Sequence, residues 1–159
     1  MRGGSEEMIA GRLRGFGMAA LALCCLSATG MMPARAQGLP TPLLQEVLVK
    51  TNLLSFNDAV TSDNFTVFHS RLSKPFRDQF PPERLRQTFK EFIEKRAAFD
   101  VIAAKPVVPV GEAKIDGEGV LRLNGYFETA PKQVKYQLGF IRSEGDWKLS
   151  SINVQIEAP

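Results

Sequence analysis

From Gly117 to Ile156 hydrophobic residues alternate with polar ones at a period of two, which places every second side chain on one face of a pleated strand. In the first strand Leu121, Leu123 and Phe127 fall on one face, with Val120, Arg122, Asn124 and Tyr126 opposite. Val134, Tyr136, Leu138 and Phe140 share a face of the second, which runs to Arg142. The third begins as Trp147 and Leu149, then changes phase to Ile152, Val154 and Ile156. An extra residue at Ser150-Ser151 accounts for the slip, so the pattern predicts a β-bulge and a bent strand. Turn-forming runs separate these segments: Asp116-Gly117-Glu118-Gly119, Thr129-Ala130-Pro131-Lys132 and Ser143-Glu144-Gly145-Asp146.

Upstream the period is helical. Thr41-Pro42 opens a helix that should reach Ser62, with Thr as N-cap and Pro at a position where its missing N–H is not needed. Val49, Leu53, Phe56 and Val60 form one stripe and Leu43, Val47 and Leu54 a second, a pattern that predicts a helix sandwiched between two layers. Asp58 lies near the second stripe and is expected at a rim. Asp63-Asn64 caps a short helix with Phe65, Phe68, His69 and Leu72 on one face, and Phe76 to Phe80 makes a further turn. A third helix is predicted from Glu83 to about Lys95, with Leu85, Phe89, Phe92 and Ile93 on its buried side. Phe99 to Val110, interrupted by Pro106 and Pro109, suits an edge strand or two short extended pieces, which Glu112 to Ile115 continues. Helices followed by strands define an α+β class, with the N-terminal helices packed in the concave face of a bent antiparallel sheet.

The N-terminus changes the domain count. Arg12 and Arg14 precede an apolar run from Phe16 to Met32, then Pro33 and Ala34-Arg35-Ala36 before Gln37, the form of a cleaved export signal. Residues 1–36 are therefore assigned as a signal peptide and 37–159 as a single α+β domain, periplasmic or secreted after cleavage near Ala36/Gln37. Glu6 and Glu7 do not suit a leader, and Met8 starts a more regular one. Cys24 and Cys25 both lie in the apolar run, and neither follows a small residue as a lipidated cysteine would. The mature domain then has no cysteine, which excludes disulfides, thiol catalysis and Cys-based zinc sites.

Charge narrows the partners. Without the first 36 residues, 16 Lys and Arg face 15 Asp and Glu, a balance that predicts no nucleic-acid partner. Contact with a membrane is expected only through the export signal. In residues 37–159 one His, no Cys and no spaced carboxylates predict no metal and no cofactor. The chain also lacks a Gly-rich phosphate loop and a nucleophile elbow.

The long Thr-Pro-opened helix, the shorter helices and a sheet ending in Gly145-Asp146-Trp147-Lys148-Leu149, with Leu121, Leu123, Gly125, Tyr126, Thr129, Pro131 and Val134 before it, resemble a known pattern. It is that of the nuclear transport factor two-like superfamily, the cone-shaped cystatin-like fold, and most nearly of its small exported bacterial members of unknown function. The resemblance covers most of Thr41 to Ile156. It implies an apolar pocket enclosed by a concave sheet and dimerisation through the sheet's outer face. Enzymes of the superfamily place an Asp or His base inside the cone with Tyr or Asp donors beside it, and none of their motifs aligns with this chain.

Phe56, Phe68, His69, Phe89, Tyr126 and Tyr136 are the expected lining of such a pocket. No catalytic set is assigned; His69 and Asp58 are the only candidate bases, and His69 on an apolar face also suits a structural role. The favoured reading is a non-catalytic exported module that holds a small apolar ligand or forms a homodimer. The alternative is a cofactor-free lyase or isomerase acting on a hydrophobic carbonyl compound, with His69 or Asp58 as base. Trp147 is expected to anchor the core.

Overall fold

A computed structural model describes residues 38–157. The expected signal peptide, the alternative start at Met8 and both cysteines lie outside these residues. Helix α1 spans Pro42–Ser62, and the Thr41 hydroxyl accepts from the Leu44 N–H at 3.3 Å. Its end is set by Asp63, whose left-handed backbone turns the chain and whose carboxylate takes two hydrogen bonds from Arg86. Short helices α2 (Thr66–Arg71), α3 (Lys74–Gln79), α4 (Pro82–Thr88) and α5 (Lys90–Glu94) follow. The single helix expected over Glu83 to Lys95 is thus two. Thr88 donates its hydroxyl to the Arg84 carbonyl at 2.8 Å, a side-chain bond that competes with the helical ladder where it breaks.

Residues Asp100–Ala104 form a 3₁₀ turn where an extended piece was expected. Strands β1 (Val108–Pro109) and β2 (Lys114–Ile115) both pair with β3 (Leu121–Phe127). Next come β4 (Gln133–Ser143) and β5 (Asp146–Glu157), and the antiparallel order is β1-β3-β4-β5. The register passes from Phe140↔Leu149 to Gly139↔Ser151, so Ser150 is the extra residue and the bulge stands where the phase slip put it. Glu144 and Gly145, both with positive φ, make the two-residue turn between β4 and β5. Arg77 clamps that turn to α3 with hydrogen bonds to both Glu144 carboxylate oxygens.

The helices cover one face of the sheet. Val49, Leu53, Phe56 and Val60 of α1 pack with Leu121, Leu123, Phe127, Leu138 and Phe140. The second stripe is not a second interface: Leu43 is 73% and Val47 48% exposed, and of its three members only Leu54 packs against the core. The sandwiched α1 is corrected to a helix packed on one side, because no described element crosses its far face. Six phenylalanine rings, Phe56, Phe65, Phe68, Phe89, Phe92 and Phe99, fill the space beside α1, with Phe89 4.6 Å and Phe92 5.6 Å from Phe56 between centroids. Asn57, buried beside them, accepts the Phe99 N–H at 2.7 Å and ties the chain after α5 to α1.

Candidate functional site

The expected pocket residues do not surround one space. Phe56 is closed in the ring cluster, Phe68 joins that cluster to a recess beside Asp58, and Phe89 joins it to an apolar recess beside β5. Tyr126 projects from the other face of the sheet, by a shallow recess with Lys135, Gln137 and Asn153. The physical reason is volume: at this spacing the aromatic side chains fill much of the helix–sheet interface themselves.

The two candidate bases are also apart from any catalytic arrangement. His69 Nε2 lies 3.2 Å from the Arg77 carbonyl, and no carboxylate among the described residues bonds it. Asp58 is exposed, at a recess that it shares with Phe68 and Arg71. Its backbone carbonyl accepts the Ser62 hydroxyl at 2.6 Å, an interaction within the helix.

Tyr136 alone of the six combines burial with an open polar function. It is 3% exposed and sits on the helix-facing side of β4, opposite Gly125 of β3. A Cβ at position 125 would collide with the Tyr136 hydroxyl and the Val108 carbonyl, so only glycine lets the ring lie flat across β3. Burial, then the nearby Glu46 carboxylate, raise the phenol's pKa above its ordinary 10.0, so it stays protonated and available as a donor.

Around this phenol lies a cavity of about 210 Å³ between the start of α1 and the β1–β2 segment. Val49, Val107 and Leu123 supply its apolar wall, and Gln45, Glu46 and Glu112 its polar side. Glu46 is held by Lys50 one turn on, at 2.9 Å. It was not singled out in the sequence, yet its position was legible: 46, 49, 53, 56 and 60 continue the buried stripe of α1 by one step. An acid on a stripe otherwise apolar marks the place where the core opens.

Among the described residues no three His, Cys, Asp or Glu side chains converge as a metal site, and no helix is long and apolar enough to cross a membrane. No family model, curated protein or solved structure matches this chain.

Proposed function

We propose that this chain is an exported, non-catalytic binding module of the nuclear transport factor two-like type, and that its ligand is a small, largely apolar molecule bearing one hydrogen-bond acceptor. The observation that carries the reading is the Tyr136 phenol: buried, kept protonated, and turned to a cavity with an apolar wall. A buried donor facing an acceptor in such a site gives orientation as well as affinity. The cavity volume admits only a small molecule. The isolation of His69 from any carboxylate supports binding over proton abstraction.

The test is native mass spectrometry of the protein recovered from the periplasm, alongside Tyr136→Phe and Val49→Phe. The expected result is a co-purifying small molecule on the wild type, weakened by loss of the hydroxyl and absent when the cavity is filled. A bare protein that acquires no adduct from a panel of small ketones and esters would remove this reading.

A further inference from the structure

Strand β5 ends the sheet, and half of its outer edge has no partner among the described residues. Leu149 points its carbonyl outward, where the Ser73 N–H donates to it at 2.9 Å beside the parallel bridge Leu72↔Leu149. Past the bulge residue, antiparallel alternation turns the backbone groups of Ile152, Val154 and Ile156 outward in the same way. No described residue hydrogen-bonds to them along this edge.

Native edges are usually blunted by charge, proline or a covering element. From Ser151 to Ile156 this one carries neither charge nor proline. Recesses of about 430 and 540 Å³ flank it instead. The first is walled by Phe76, Phe80, Phe89 and Ile152. The second, with Phe92, Val154 and Ile156, is also lined by charged side chains: Glu91 and Glu157 are paired with Lys95 and Lys135, whereas Arg96 and Lys132 form no ion pair among the described residues.

We infer that this edge receives an extended peptide segment of a partner polypeptide, apolar at alternate positions and acidic at the end that meets Arg96 and Lys132. The exposed backbone of β5 supplies the ladder, as the Leu149 carbonyl already does for the Ser73 N–H. Alternate apolar side chains of the guest enter the recesses on the helix side. Its other side chains lie beside Asn153 and Gln155. A second copy is a poorer occupant. Antiparallel pairing symmetric about Val154 would set Glu157 of the copy opposite Ser151, at the far end from the two cations, and leave them unneutralised.

This surface is separate from the Tyr136 cavity, and its test does not depend on that site. The probe is a fluorescein-labelled peptide of about nine residues, a long strand by ordinary standards, with isoleucine and threonine alternating and a pair of glutamates at one end. Fluorescence anisotropy should show saturable binding to the purified protein. Ile156→Pro, which deletes an outward N–H without touching the β4 ladder, should weaken it about tenfold or more. The exposed double variant Arg96→Glu/Lys132→Glu should do so too, and it guards against a folding defect in the proline variant. Absence of saturable binding by the wild type, or affinity unchanged by the charge reversal, overturns the inference. Sedimentation showing a dimer that Ile156→Pro dissociates would give the edge to a second copy and overturn it equally.

Discussion

Tyr136 lies across Gly125: in the β3–β4 register the two are paired, and the phenol occupies the place that a side chain on residue 125 would take. The glycine weakens β3 as a strand, and the ring laid over it restores apolar cover and defines one wall of the cavity.

Gly125→Ala should therefore push the ring away and press on β1 at Val108, with a cost of about 1–3 kcal/mol, as for overpacking elsewhere. Urea unfolding measures it. Pairing the change with Tyr136→Leu should recover part of the loss, since the two effects share one contact.

Trp147 is 7% exposed, with the Arg142 guanidinium 4.7 Å above its ring, so the expected anchor is in place. Trp147→Ala should cost about 3–5 kcal/mol. Its indole N–H is buried with no hydrogen-bond partner among the described residues. Trp147→Phe should cost less than Trp147→Ala, because the smaller ring keeps part of the apolar contact and no hydrogen bond among the described residues is lost with the indole. Unfolding midpoints of the two variants separate these outcomes.

Asn57→Ala leaves the Phe99 N–H buried and unsatisfied, a penalty of about 1–3 kcal/mol. Amide exchange at Phe99 should accelerate in the variant, while exchange in the β4–β5 ladder changes only with global stability.

Three carboxylates are held below their ordinary values. Asp63 is lowered chiefly by its hydrogen bonds from Arg86, Glu144 by those from Arg77, and Asp116 by the Val120 N–H and then the Arg122 side chain. Groups depressed in the folded state add stability that is present above their unfolded values of 3.8 and 4.5 and lost as pH falls through the folded ones. The urea midpoint should hold between neutrality and pH 5 and decline below about pH 4.5. Arg86→Met should flatten part of that decline.

Tyr136 acts in the opposite range. Its pKa is raised by burial and by Glu46, so the folded state keeps the proton that the unfolded chain gives up near 10.0. Stability should fall as pH climbs above that value. In an ultraviolet phenolate titration, one of the two tyrosines should ionise only as the chain unfolds, and Tyr136→Phe should remove that late step.

The sequence by itself determined the α+β order, the faces of β3 and β4, the α1 bounds and the bulge at Ser150. These follow from local periods and caps, which act between residues a few positions apart. Only the tertiary structure decided that Leu43 and Val47 face outward, that six phenylalanine rings close the space expected to be a pocket, and that Tyr136 and Glu46 line the same remaining opening. Periodicity marks which side chains leave water together. Whether they then meet each other or leave a gap depends on volumes brought together from distant parts of the chain, and no local pattern encodes that sum.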